Sequence, residues 1–350
     1  MRINPSTVVV ALSGGLDSSF AAARLIEAGW RVRGLHLVLP APAEVLDARR
    51  KAVLEAAGFL DIEVEFLDLT QQFIDGVVSP FVSRYLKGLT PNPCVVCNER
   101  IKFPALCRYA DTLDIPFVAT GHYAGHERTG ETIKLLRGSD PLKDQSYFLH
   151  RVDIRCLART LFPIGTLTKE HCRNEALAIG LNAADFTESQ EICFLQGTDY
   201  RRLVEHLGGQ AATAPGQFVT ESGEVLGNHQ GIHRFTIGQR HGMGIASARP
   251  YYVKALRPER GDVVVGRREE IFSRDALALQ FKWLRRPQSD VRFSAQIRYR
   301  HRAAPGLLRM EEQDQVRFIF DEPQWAVTPG QALVCYDGET VVGGGWISNQ

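Results

Sequence analysis

Two sets of residues in this chain have types and spacings suited to chemistry. The first is the run Ser13-Gly14-Gly15-Leu16-Asp17-Ser18. Paired glycines let backbone N–H groups approach an anion closely, and Ser13 and Ser18 add hydroxyl donors, so the run can cradle phosphate. A lysine before the last serine would make it a Walker loop, but Asp17 stands there instead. An acid in a phosphate loop is tolerable when it faces a cation, which assigns Asp17 to Mg²⁺ carried on pyrophosphate. The second set is sulfur. Cys94 and Cys97 lie in Pro91-Asn92-Pro93-Cys94-Val95-Val96-Cys97-Asn98, and Cys193 lies in the polar segment Glu188-Ser189-Gln190-Glu191-Ile192-Cys193-Phe194. Two prolines so close together predict a stiff, extended, non-helical segment that presents the thiols just before a helix opens. A thiol beside that helix N-terminus, Arg100 and Lys102 is expected to have a lowered pKa and to carry more thiolate. Cys107, Cys156, Cys172 and Cys335 read as small buried hydrophobes.

The elements that must position these groups are legible in the hydrophobic pattern. Thr7 to Leu12 is a continuous apolar run, the mark of a buried parallel strand, and a helix from Ser18 to Ala28 follows the glycine turn. Strands over Arg31–Leu39, Ile62–Leu69 and Phe117–Thr120 alternate with helices over Ala43–Ala57 and Ile101–Leu113, and a further helix spans Thr168–Gly180. Alternation of this kind predicts an α/β domain with an open, Rossmann-like parallel sheet covered on both faces. Ligands in such sheets bind beyond the carboxyl ends of the strands. The loop at 13–18, Leu35-His36-Leu37 and Thr120-Gly121-His122-Tyr123 are therefore expected to share one site. From about Gly208 the texture changes to short glycine-rich strands, predicting a small β-rich linking domain over 208–275 after a catalytic domain over 1–207. The remainder, 276–350, predicts an antiparallel β-barrel. Val291, Phe293, Ala295, Ile297 and Tyr299 alternate with Arg292, Ser294, Gln296, Arg298 and Arg300, and Asp337-Gly338 marks a hairpin.

Composition bounds the class. A chain of 350 residues, 44% apolar and 23% charged, predicts an ordinary globular protein of two or three domains. No run approaches the ~20 apolar residues of a membrane span, and Met1 to Ser6 does not read as a signal peptide, which predicts a cytoplasmic protein with no membrane partner. Seven scattered cysteines do not form a secreted disulfide framework. The net charge of +1 conceals 15 Lys/Arg against 6 Asp/Glu between Arg249 and Arg309, a local balance of +9 that suits a polyanion. With Tyr299 and His301 among the arginines, phosphate contact and stacking on RNA are expected there.

The loop resembles that of the pyrophosphate-loop ATPases, which cleave ATP between its α and β phosphates. A narrower resemblance follows from motifs in sequence order: Pro91-Asn92-Pro93 with Cys97-Asn98 and Ile101-Lys102-Phe103, Thr120-Gly121-His122-Tyr123, Lys143-Asp144-Gln145-Ser146-Tyr147-Phe148-Leu149, and Ser189-Gln190-Glu191-Ile192-Cys193-Phe194. Ile237-Gly238-Gln239-Arg240, Lys282-Trp283, Ile297-Arg298-Tyr299-Arg300 and Pro329-Gly330-Gln331-Ala332 continue it. These resemble the bacterial tRNA-specific 2-thiouridylase family over essentially the whole chain. The resemblance implies ATP-dependent replacement of the C2 oxygen of a wobble uridine by sulfur, in tRNAs of the Lys, Glu and Gln type, fed by a persulfide or sulfide donor protein. It implies that ATP and Mg²⁺ are held by Ala11, Leu12, Ser13, Gly14, Gly15, Leu16, Asp17, Ser18, Leu37 and Gly121. It assigns tRNA contacts to Asn92, Pro93, His122, Lys143, Asp144, Gln145, Arg298, Tyr299 and Gln331. Cys193 matches the persulfide carrier and Cys97 the second thiol, which either releases sulfide or closes a disulfide.

At Cys94 the chain departs from the well-studied form of the family, which by this resemblance has an aspartate there. Cys94, Cys97 and Cys193 then make three thiols, able to hold a [4Fe-4S] cluster with one open iron, or an incomplete zinc site. Delivery by a Cys193 persulfide and delivery by a cluster both stand on the sequence, as do two other functions. A pyrophosphate-loop ligase acting on a small molecule would need neither Cys97, Cys193 nor a basic barrel. A noncatalytic tRNA-binding module would not consume ATP.

Overall fold

The computed structural model describes residues 6–130, 132–181, 192–195, 197–312 and 314–349. Ser189-Gln190-Glu191 of the Cys193 motif lies outside them. The chain forms two compact units, one from 1–76, 94–196 and 339–341, the other from 77–93, 197–338 and 342–350.

In the first unit, β1 (Thr7–Ala11), β2 (Arg31–Val38), β3 (Val64–Asp68), β4 (Phe117–Ala119) and β7 (Thr160–Leu161) form a parallel sheet in the order β3-β2-β1-β4-β7. The sequence run 7–12 is apolar without alternation because both faces of β1 are covered. Val8 and Val10 pack with Ala22, Leu25 and Val53 of helices α1 (Leu16–Glu27) and α2 (Ala43–Phe59), while Val9 packs with Leu106, Tyr109 and Ala110. The strand order reverses between β1 and β4, which opens a crevice where the two strands end. The loop at 13–18 leaves from β1 and Thr120-Gly121 from β4, so both lie at that crevice. An antiparallel hairpin of β5 (Ala124–Thr129) and β6 (Thr132–Arg137) follows β4.

The segment carrying Cys94 and Cys97 departs from the sequence expectation. It is helical, not extended: Pro93 opens the helix Pro93–Cys97, which runs through a π turn, Asn98–Lys102, into the helix Phe103–Thr112. A proline at the first helical position loses an N–H that has no partner there anyway, so Pro93 starts a turn and does not block one. Pro104 is the second residue of the third segment, tolerated there because it follows the wide π turn and sits in the first turn.

In the second unit, β8 (Pro215–Val219), β9 (Val225–Gln230), β10 (Tyr252–Arg257) and β11 (Asp262–Gly266) form a sheet ordered β10-β11-β8-β9 over Phe218, Phe235, Val253 and Val263. Six more strands close a barrel: β12 (Phe272–Trp283), β13 (Val291–Gln296), β14 (Ala304–Met310), β15 (Val316–Trp325), β16 (Ala332–Asp337) and β17 (Thr340–Ile347). The order is β12-β15-β14-β13-β16-β17, and β17 pairs back onto β12. Closure is possible because β12 is long and bulged: Ala276 to Ala278 face β15, while Lys282 and Trp283 face β17 across a register shift at Gln280, whose φ is +50°. Phe281, Phe318, Phe320, Leu333 and Cys335 fill the interior. The expected arginine face of β13 is shorter than its pattern. The strand stops at Gln296, which is buried and donates to Tyr299 O at 2.5 Å, turning the chain before Arg298. Among the described residues no helix is long and apolar enough to cross a membrane.

Candidate active site

The phosphate loop is closed by its own hydroxyls. Ser13 N–H donates to Ser18 Oγ at 3.1 Å, Ser18 Oγ donates to Gly15 O at 2.9 Å, and the two serine oxygens lie 3.0 Å apart. Gly14 has φ +78°, a left-handed conformation, and a Cβ there would stand 3.2 Å from Ala52 and 3.3 Å from Val53 of α2. The glycine therefore lets the loop lie directly on α2. Gly15 caps α1 without a side-chain hydrogen bond, so the helix N-terminus keeps its N–H groups for an anion. Leu12 O accepts from Nδ1 of His36 at 2.7 Å, which fixes the ring tautomer, since a carbonyl cannot donate. Burial lowers the His36 pKa against that hydrogen bond, so the ring is neutral at pH 7. Gly121 closes the other side. A Cβ on it would lie 2.7 Å from the carbonyl carbon of Asp17 and 2.8 Å from Ser18 N. Leu37, half-buried, is next to His36 on β2.

Asp17 does face a cation, and the cation is a side chain. Its Oδ1 accepts from Lys169 Nζ at 2.6 Å and from Tyr123 OH at 2.8 Å. Sequence reasoning missed Lys169. Its signal was a lysine in the first turn of a helix, where the dipole disfavours positive charge unless an acid answers it.

The two distant thiol segments meet within the first unit. Cys94 and Cys97 sit one turn apart on the helix Pro93–Cys97, and both lie within electrostatic reach of Cys193. Arg49 of α2 donates to Cys193 O at 3.2 Å, and the Phe194 ring meets Phe73 edge-on at 5.6 Å. Thus α2 carries the phosphate loop at Ala52 and Val53 and the Cys193 backbone at Arg49. Cys193 is exposed, while Cys94 and Cys97 are half-buried. The expected thiolate character is absent. Burial pushes Cys97 up to about 11 and Cys94 up to about 12, and partial desolvation of its sulfur shifts the more exposed Cys193 upward as well. Lys102 pulls the other way on all three without overcoming it. Desolvation of the charged form outweighs one nearby ammonium. Cys107, Cys172 and Cys335 are buried as expected, and Cys156 is half-buried against Cys107.

Other residues named from the sequence have defined surroundings. His122 Nδ1 lies 2.8 Å from Thr120 Oγ1, its ring stacks on Phe103 at 5.9 Å, and burial holds its pKa well below the usual range. Asp144 is a hub, accepting from Arg137 at 2.8 Å, from Gly138 N and Ser146 N at 2.9 Å, and from Ser146 Oγ at 3.1 Å. Gln145 Oε1 accepts from Tyr123 N at 3.0 Å, and Lys143 N donates to Asp140 O at 3.1 Å. In the second unit, Asn92 and Pro93 are buried, Gln331 donates to Thr90 O at 3.0 Å, and Arg298 donates to Trp325 O at 3.0 Å. Arg298 and Gln331 line a cleft of about 690 Å³ together with Arg201, Gln239 and Arg240, and Tyr299 is half-buried.

Residues 6–197 match the family described as "tRNA methyl transferase HUP domain", residues 204–267 the "tRNA methyl transferase PRC-barrel domain" and residues 273–347 the "Aminomethyltransferase beta-barrel domain". The tRNA-specific 2-thiouridylase MnmA of Desulforudis audaxviator is 45% identical over 98% of this chain and 98% of its own length. Its counterparts are 41% identical in Carboxydothermus hydrogenoformans, over 99% of each chain, and 42% identical in Geobacter metallireducens, over 97% of this chain and 96% of that one. This chain belongs to the tRNA-specific 2-thiouridylase family. The domain descriptions speak of methyl transfer and the relatives' names of thiolation. As a 2-thiouridylase family member the chain keeps Cys94, Cys97, Cys193 and the glycine loop in one unit, with α2 touching both the loop and the Cys193 backbone.

Two outcomes follow from this geometry. Gly121→Ala forces a methyl against loop backbone that cannot give way, and with overpacking at ~1–3 kcal/mol it is expected to weaken ATP binding roughly tenfold by calorimetry. Unchanged affinity would remove the loop as the nucleotide site. Because the Cys97 pKa is raised to about 11, the neutral thiol dominates below it. Its alkylation by iodoacetamide, read by peptide mass spectrometry, should climb about tenfold per pH unit from 7 to 10. A plateau near pH 8 would contradict the burial argument.

Proposed function

We propose that this chain is an ATP-dependent tRNA uridine 2-sulfurtransferase. The observation that carries the reading is that Cys97 and Cys193, 96 residues apart in sequence, lie within electrostatic reach of each other in the unit that holds the glycine loop. A uracil C2 carbonyl is a poor electrophile with a poor leaving group. Attack of its oxygen on the α-phosphorus of ATP expels pyrophosphate with the bonding electron pair, and the oxygen becomes part of a departing AMP. A persulfide on Cys193, loaded by a donor protein, then supplies the nucleophile: its terminal sulfur bonds C2 and AMP leaves. Cys97 attacks Cys193 Sγ, the sulfur–sulfur bond breaks toward the base, and a Cys97–Cys193 disulfide remains for a thiol reductant to reset. Attack by Cys97 before transfer releases hydrosulfide instead, with the same disulfide as product.

Mg²⁺ is expected to arrive with the nucleotide, since that ion binds through one or two carboxylates plus phosphates, and Asp17 is the acid of the loop. A [4Fe-4S] cluster fits less well. Among the described residues no group of three or more Cys, His, Asp or Glu is arranged to hold a metal, so no step is routed through one. Cys94, protonated below about 12, cannot serve as a carboxylate-like base and reads as a third, accessory thiol. For tRNA we favour the contacts assigned by resemblance: Asn92, Pro93, His122, Lys143, Asp144 and Gln145, with Arg298, Tyr299 and Gln331 on the barrel. The arginine-lined cleft supports the barrel contacts. Asp144 serves by shaping the turn that carries Lys143 and Gln145. We divide these tasks among residues 1–207, 208–275 and 276–350, place the protein in the cytoplasm, and assign it tRNAs of the Lys, Glu and Gln type.

The test is thiolation of a tRNA transcript with ATP and a sulfur donor, read as exchange of oxygen for sulfur by nucleoside mass spectrometry. Cys193→Ala and Cys97→Ala should each lose roughly 100-fold or more of the rate. Loss of neither, with AMP still formed, would favour a small-molecule ligase.

A further inference from the structure

The loop at 13–18 contains no cation of its own, yet an activated α-phosphate needs one at its leaving group. We propose that Lys169 is the lysine that neutralises the β- and γ-phosphates, supplied from a helix 152 residues beyond Asp17. The inference rests on the ATP-dependent reading above and deepens it.

Three features set the lysine in place. It is the first residue of the helix Lys169–Ala178, whose entry is fixed by Thr168 Oγ1 accepting from His171 N at 3.2 Å and by Asp140 Oδ2 accepting from Lys169 N at 2.9 Å. That helix is docked on α1 through Phe20, Cys172 and Ala176, so its first turn cannot drift from the loop. The side chain is aimed by Asp17 at 2.6 Å and by the ring of the buried Tyr123, 5.9 Å from Nζ. A lysine in a first helical turn works against the helix dipole, so this placement needs a compensating anion. With no nucleotide bound the anion is Asp17. With Mg²⁺ and ATP bound, the Asp17 carboxylate is drawn to the divalent cation, and the ammonium turns to the adjacent phosphates. When the bond from the α-phosphorus to the bridging oxygen breaks, the electron pair moves onto the pyrophosphate. Lys169 answers that charge with no proton transferred. Tyr123 OH, which donates to Asp17 at 2.8 Å, holds the carboxylate in line throughout the exchange.

Affinity, not only turnover, tests this. ATP, inorganic pyrophosphate and AMP are titrated calorimetrically, with Mg²⁺, into the full chain and its Lys169→Met and Lys169→Gln variants. Gln keeps a hydrogen bond to Asp17 should Met disturb the fold, which circular dichroism checks. Loss of a charge-assisted contact should weaken ATP and pyrophosphate about 10- to 100-fold while AMP changes less than about twofold. Lys169→Arg should recover most of the loss. Equal weakening of ATP and AMP would mean that the lysine merely holds the loop, and no weakening would mean that it does not reach the phosphates. Either result overturns the proposal. A wild-type chain that binds ATP but leaves tRNA unthiolated would instead sink the functional reading and leave the affinity comparison intact.

Discussion

The contact on which the site depends is that between Gly14 and α2. At φ +78°, with a Cβ placed only 3.2 Å from Ala52, glycine lets the loop rest on Ala52 and Val53 without strain, and the same helix reaches Cys193 O through Arg49. The glycine loop and the Cys193 segment, distant in sequence, are thus both seated on one helix. The proposed joining of an adenylated oxygen to an incoming sulfur draws on that shared support, because effective reaction demands reacting groups held close and aligned. The parallel sheet serves the same end from below, as the paired strands β1 and β4 deliver the loop and Gly121 side by side.

Electrostatics inside this site are arranged for restraint. Cys94, Cys97 and Cys193 are all held on the thiol side of their titration by burial, and His36 and His122 are both pushed toward the neutral ring. Protonation lowers the susceptibility of Cys94 and Cys97 to oxidation, while Cys193 is exposed. In the proposed reaction the nucleophile is a persulfide and not one of these protonated thiols. Lys102 is the standing cation near all three sulfurs, and Asp17 with Lys169 and Tyr123 forms a charged group at the glycine loop. Charge is therefore divided between the thiol segments and the loop.

Much of this was legible in the sequence because it rests on local rules. The apolar run of β1, the glycine turn, the alternation of strands and helices, and the Asp337-Gly338 hairpin each follow from a periodicity or a backbone requirement within a few residues. The barrel was legible for the same reason. What escaped was set by the third dimension. Pro91 and Pro93 read as helix breakers, yet Pro93 opens a helix, because position within a turn decides what a proline does. Arg100 and Lys102 promised a thiolate, but burial, invisible in sequence, decided the Cys97 pKa. Arg298 read as a solvent-facing arginine and is bound to Trp325 O after an early strand end at Gln296. Lys169 could be placed beside Asp17 only by the fold.

The central claim is that Cys97 and Cys193 are one reacting pair. It is tested most directly by oxidising the native protein with a small disulfide reagent and mapping the cross-linked peptides by mass spectrometry. The account predicts a dominant Cys97–Cys193 disulfide. Cross-linking confined to Cys107–Cys156, with Cys193 remaining free to react with alkylating reagent, would contradict it.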